Sequence, residues 1–212
     1  MQPVHGQSRK LCLSSGPAGP PSPLGEGKAG RPGMPGPYSA ITIGKGNNMA
    51  KEAKTNAMRM LERAKVAYTS HEYPHEEGQA VDGANVARLT GQDPARVFKT
   101  LVTQGADRNY YVFVVPVLAE LDLKKAARAA GVKSVAMIHV ADINKVTGYI
   151  RGGCSPVGMK KQFVTVYDES CLAQQTMLVS GGRIGTQIEC APADLIKVTR
   201  GRTAAITQEH EA

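Results

Sequence analysis

No window of the 212-residue chain approaches the roughly 18 consecutive apolar residues that span a bilayer, and its N-terminus lacks the apolar core of a secretory signal. A cytoplasmic protein without a membrane partner is therefore expected. Cysteine is sparse. Cys12, Cys154, Cys171 and Cys190 show no CxxC spacing and no neighbouring histidines, which argues against a zinc site or disulfide framework and for free thiols. From Met49 onward neither GxGxxG nor GxxxxGK[ST] occurs, so the common nucleotide-cofactor signatures are missing and no cofactor is expected. His71 and His75 flank Tyr73, but Pro74 prevents a regular helical pair and no third metal ligand is apparent.

What is present is the composition of a folded protein: 42% hydrophobic and 21% charged residues, in a length suited to one domain with a sizeable core. The formal charge of +8 suggests nucleic acid, yet residues 1–48 hold five of the 26 basic residues and only one of the 18 acidic ones. Half of the surplus thus lies outside the main body, where a modest excess permits RNA binding without demanding it. Ten of the 23 glycines and eight of the 13 prolines also fall in residues 1–48. Such a segment builds no core and is expected to be a disordered extension, with a single domain over 49–212. Gly44-Lys45-Gly46 would be encoded by GGN-AAR-GGN, a purine-rich stretch placed like a ribosome-binding site, so translation is expected to start at Met49.

Within the domain, Ala57, Leu61 and Ala64 recur on one face of 55–66, which predicts an amphipathic helix capped by Thr55. Strands are expected over 68–73, 97–103, 108–115, 132–138, 163–167, 177–180 and 186–189, the second and third joined as a hairpin. Further helices are expected over 80–89, closed by Gly91, over 123–130 between Asp122 and Gly131, over 142–147, and over 192–198 with proline in its first turn. Many short strands with irregularly placed helices argue for an α+β domain around a curved, mixed sheet.

Three segments carry residues that packing alone explains poorly. Lys99 interrupts the apolar run Val97-Phe98-Lys99-Thr100-Leu101-Val102, and a buried ammonium group is costly unless paired or solvated. By spacing alone, an edge-strand lysine that blocks aggregation is the favoured reading. Gly152-Gly153-Cys154-Ser155 combines paired glycines, able to converge backbone N–H groups on an oxyanion, with a hydroxyl; a tight turn explains it equally well. Cys154 has no His or Asp motif beside it, which favours a small packed cysteine over a nucleophile. Ser180-Gly181-Gly182-Arg183 follows an apolar strand and offers a loop able to grip a phosphodiester or terminal ribose, against the simpler reading of a β-turn. Lys124, Lys125, Arg128 and Lys133 cluster around a helix, where a solvated face is the commoner explanation than contact with RNA phosphates.

Together Phe98-Lys99-Thr100-Leu101, Leu121-Asp122-Leu123-Lys124-Lys125, Thr147-Gly148-Tyr149, Gly152-Gly153-Cys154-Ser155-Pro156 and Val179-Ser180-Gly181-Gly182-Arg183 resemble the YbaK/EbsC family of aminoacyl-tRNA deacylases, in its Cys-tRNA(Pro) branch. The resemblance runs from about Lys54 to Ala205 with the motifs in the same order. It implies the fold of the editing domain of bacterial prolyl-tRNA synthetases, a mixed barrel-like sheet with flanking helices. It also implies that Lys99 lines the pocket as the catalytic residue. The expected substrate-binding residues are Tyr73, Phe98, Thr100, Gly152, Gly153, Ser155, Ser180, Gly181, Gly182 and Arg183.

The implied activity is trans-editing hydrolysis of mischarged Cys-tRNA(Pro). The thiol of the bound cysteine would attack its own ester in a lyase-like cyclisation, so no enzyme nucleophile is required. The implied partners are aminoacyl-tRNA(Pro) and, transiently, prolyl-tRNA synthetase, with no role for DNA. A deacylase for Ala- or another small-residue tRNA(Pro) is the alternative within the class, and a non-catalytic module binding tRNA or the synthetase is the alternative outside it. The expected start is open to a direct check. Intact-mass analysis of the natural protein should place its N-terminus at or after Met49, and a mature N-terminus upstream of residue 40 refutes this reading.

Overall fold

The protein is described by a computed structural model over residues 53–208 apart from 77, so the expected extension and the start at Met49 lie outside the described residues. Among the described residues five α-helices and eight strands form: α1 (Asn56–Arg63), β1 (Thr69–Glu72), α2 (Gly83–Thr90), β2 (Phe98–Gly105), β3 (Tyr110–Pro116), α3 (Leu123–Ala130), β4 (Val135–Met137), α4 (Val140–Thr147), β5 (Val164–Asp168), β6 (Met177–Ser180), β7 (Thr186–Cys190), α5 (Pro192–Thr199) and β8 (Arg202–Ala204). The caps follow local chemistry. Asp82 accepts from Asn85 N at the start of α2, Asp122 accepts from Lys124 N and Lys125 N at the start of α3, and Gly91 and Gly131 end those helices at positive φ, where a side chain is strained.

The strands make two open sheets. The larger runs β4-β2-β3-β5-β8, mixed because β3–β5 and β5–β8 are parallel while the β2–β3 hairpin and β2–β4 are antiparallel. The smaller is antiparallel, in the order β1-β7-β6. A parallel bridge between Val97 and Leu178 links them. The expected α+β class and mixed pairing are present, but the sheets do not close on each other, so the barrel likeness is one of curvature and layering.

β3 shows why the larger sheet is central. Its residues alternate between two cores: Val112 and Val114 pack with α1, the smaller sheet and α5, while Tyr111, Phe113 and Val115 pack under α3. A strand buried on both faces reads as one apolar run. The three valines and Phe113 are fully buried, and each contributes about 1.5–3 kcal/mol relative to exposure.

Several boundaries differ from the periodicity for identifiable reasons. The strand expected over 132–138 is shorter because Val132 N donates back to Ala127 O (3.0 Å) and completes the helix end. Helix α2 starts at Gly83 because Asp82 serves as its cap. β8 has no sequence signal of its own; it is recruited by parallel pairing of Val166, Tyr167 and Asp168 with Arg202, Thr203 and Ala204.

No helix among the described residues is long and apolar enough to cross a membrane. Asp168 is buried, accepts from Ile206 N (3.1 Å), Ser170 N (3.1 Å) and Ser170 Oγ (2.6 Å), and so ties the C-terminal segment to β5. Asp168→Leu leaves the buried Ile206 N–H and the part-buried Ser170 N–H without their acceptor, and chemical denaturation should show a loss of about 1–3 kcal/mol; Asp168→Asn, which keeps an acceptor, should lose less.

Candidate active site

A cavity of about 140 Å³ opens beside the link between the two sheets. Its walls come from separate parts of the chain: Phe98, Lys99 and Thr100 from the start of β2, Tyr73 just after β1, Val81, Gly83 and Val86 from the start of α2, and Val97 and Val117 beside them. Gly152 and Cys154 close one side; Ser180 and Gln187, register partners across β6 and β7, close another. β4 pairs only with Thr103–Gly105, which leaves the beginning of β2 free to line this space.

The structure thus brings together six of the sequence-derived site residues: Tyr73, Phe98, Lys99, Thr100, Gly152 and Ser180. Lys99 lies in a β2 that is interior to the larger sheet, and its Nζ pairs with Glu120 Oε1 at 3.2 Å. Its side chain is 28% exposed against 70% for Glu120, so the ammonium sits at the rim and its counterion reaches in from solvent.

Gly153, Ser155, Gly181, Gly182 and Arg183 stand behind the lining. A Cβ on Gly153 would lie 3.0 Å from the backbone of Arg183, so the two glycine segments touch. Gly182 has φ +95° and packs against Tyr149 and Thr55. Several of these N–H groups are used internally: Gly153 N donates to Ile150 O, Gly181 N to Thr186 O and Gly182 N to Ser180 Oγ. Ser155 is fully buried and accepts from Val157 N (3.3 Å). Arg183 donates to Thr186 Oγ1 (2.7 Å) and reaches Glu72 (3.3 Å), bracing the loop against β1.

Electrostatics distinguish the polar groups. Burial pushes the Cys154 thiol up to about 11, an effect that a hydrogen bond with Thr147 offsets only in part. At neutral pH the group is an un-ionised thiol and a poor nucleophile. Burial also raises the Tyr73 phenol, which stays protonated. Behind Gln187, on the same face of β7, Glu189 accepts from His71 Nε2 (2.7 Å) and Thr176 Oγ1 (2.6 Å) and pairs with Arg96. Burial opposes its charged form, but these partners together hold its carboxyl below the ordinary value.

Sequence reasoning passed over Gln187, which is buried and lines the cavity. In Thr186-Gln187-Ile188-Glu189 the polar residues read as the outward face of an alternating strand. Only the fold shows that α2 and the hairpin cover that face. Among the described residues, no group of three His, Cys, Asp or Glu side chains is placed to hold a metal.

Comparison with known proteins bears on this arrangement. The family model described as "Aminoacyl-tRNA editing domain" matches residues 77–198. A protein of Enterococcus faecalis (strain ATCC 700802 / V583) named "Putative Cys-tRNA(Pro)/Cys-tRNA(Cys) deacylase EbsC" is 47% identical over 156 residues, covering 74% of this chain and 94% of that protein. Two solved structures share the fold. One, described as "a putative trans-editing enzyme for prolyl tRNA synthetase", has TM-score 0.63 and 23% identity over 73% of this chain and 96% of its own. The other, hypothetical protein APE2540, has TM-score 0.65 and 21% identity over 72% and 99%. A match over more than half of the chain, with a relative this similar across nearly its whole length, makes this chain a member of the aminoacyl-tRNA editing domain family.

Proposed function

We propose that this chain is a trans-editing hydrolase that removes cysteine from mischarged Cys-tRNA(Pro). The observation that carries the proposal is a small cavity with a lysine ammonium at its rim, apolar walls, and no activated nucleophile of its own. At about 140 Å³ it is well below the several hundred cubic ångströms of drug-sized sites, and suits an amino-acid side chain better than a nucleoside. The valines at 81, 86, 97 and 117 set its size, but one methylene discriminates by only about 1–3 kcal/mol. Chemistry supplies the remaining selectivity.

On this reading the substrate brings the nucleophile. The cysteinyl sulfur bonds to its own ester carbonyl carbon, the carbon–oxygen bond to the terminal ribose breaks, and the thiol proton passes to the departing ribose oxygen. Water then opens the strained thiolactone to give free cysteine. The protein's part is to hold the reacting atoms close and to stabilise the oxyanion. Lys99 supplies positive charge at the rim, and Gly152 supplies a backbone donor from the loop side. Ser180, Tyr73, Phe98 and Thr100 shape the space around the aminoacyl group. Gly153, Ser155, Gly181, Gly182 and Arg183 contribute by holding the two loops in contact. Selectivity for the tRNA body comes from a transient complex with prolyl-tRNA synthetase in the cytoplasm.

Lys99→Ala should lower deacylation of Cys-tRNA(Pro) by about 100-fold or more, the scale of losing one oxyanion-stabilising group. It should cost less than about 1 kcal/mol of stability, because its pair with Glu120 is exposed. Near-wild-type turnover in this variant refutes the assignment. Cys154→Ala should retain activity within about threefold, since the wild-type thiol is un-ionised at neutral pH. Loss of turnover in the folded variant argues against a nucleophile brought by the substrate.

A further inference from the structure

Two buried side-chain oxygen atoms among the described residues have no hydrogen-bond partner, Thr100 Oγ1 and Gln187 Oε1, and both residues line the cavity described above. Elsewhere in the described core, buried polar groups are satisfied: Asp168 has three donors, Thr103 donates to Tyr111 O, and Thr199 donates to Leu195 O. Leaving a buried polar atom unpaired is costly, so such atoms are few in native proteins and each asks for an explanation. Two in one small cavity point to a ligand that completes them.

The chemistry of the pair narrows the ligand. A glutamine amide oxygen only accepts, and a threonine hydroxyl accepts as well as donates. The incoming group must therefore carry at least one donor and fit a deep, narrow space walled by valines. Gln187 is only 5% exposed, so the group that reaches it is the inner end of the ligand.

We propose that Gln187 and Thr100 together bind the α-amino group of the aminoacyl moiety and thereby make a free amine a requirement for recognition. The inference rests on the deacylase reading and adds to it a specificity determinant. An ammonium group has several donors and forms charge-assisted hydrogen bonds, so it satisfies two acceptors at once, which a thiol or a single hydroxyl does less well. The like charge of Lys99 is engaged at the rim by its pair with the exposed Glu120 (3.2 Å), whereas Thr100 Oγ1 and Gln187 Oε1 are buried. An uncharged amide also accepts from the neutral amine, so recognition survives deprotonation. The Glu189 cluster with His71, Arg96 and Thr176 fixes β7 directly behind Gln187.

Binding of two unreactive probes to the full chain tests this. One is cysteinyl-adenosine with the ester replaced by a 3′-amide; the other is the same compound without its α-amino group. Calorimetry on the wild type should give a Kd at least about tenfold higher for the des-amino probe, as expected for a lost charge-assisted contact. Gln187→Leu should weaken the amine-bearing probe by a similar factor and leave the des-amino probe within about threefold of its wild-type Kd. Equal binding of the two probes to the wild type, failure to bind the amine-bearing probe, or undiminished discrimination in folded Gln187→Leu overturns the proposal. If Gln187→Leu does not fold, Thr100→Val takes its place and should lose part of the discrimination. Hydrolysis of Cys-tRNA(Pro) is followed in parallel. Discrimination without hydrolysis sinks the deacylase reading alone, and hydrolysis without discrimination sinks amine recognition alone.

Discussion

The single bridge between Val97 and Leu178 is the constraint on which the site depends. Both residues are buried, and they pack with Ala87 and Val117 in a small core of their own. Among the described residues the two sheets are bridged through the backbone at this point and otherwise meet through side chains in a shared core, and the cavity lies beside the bridge. The start of β2 enters this space from one sheet and the β6–β7 pair from the other.

Within that space the charges are divided between a rim and an interior. Lys99 keeps its ammonium partly solvated beside an exposed carboxylate. The interior offers only uncharged groups: a thiol that burial keeps protonated, a phenol held protonated in the same way, an amide and hydroxyls. A wall of this kind orients a reactive substrate without competing with it as a nucleophile or base.

Much of the architecture was legible in the sequence, because local signals there agree with the global fold. Asp122 and Gly131 bracket α3 as expected, Met177–Ser180 is the strand that its apolar run predicts, and the hairpin forms in the anticipated place. The strands without their own signal were not legible. Arg202–Ala204 is short and polar and exists through its neighbour. The same limit applied to the site. Phe98-Lys99-Thr100 and the glycine pairs announce themselves as exceptions to a pattern, whereas Gln187 obeys the alternation of its strand and becomes unusual only when another layer covers it. Lys99 illustrates the reverse: its spacing suited an edge strand, but the strand is interior, and only its first residues escape pairing with β4.

Thr55 has two duties that bind distant parts of the chain. Its hydroxyl accepts from Met58 N to begin α1 and donates to Gly181 O at 2.5 Å, while its Cβ is a near neighbour of the space beside Gly182. The first helical turn and the second glycine loop are thus parts of one rigid corner. Anything that unwinds that turn, such as a bulky fusion attached directly before it, would reshape the loop more than a hundred residues downstream. Changes at the start of α1 are therefore felt at the loop that backs the pocket.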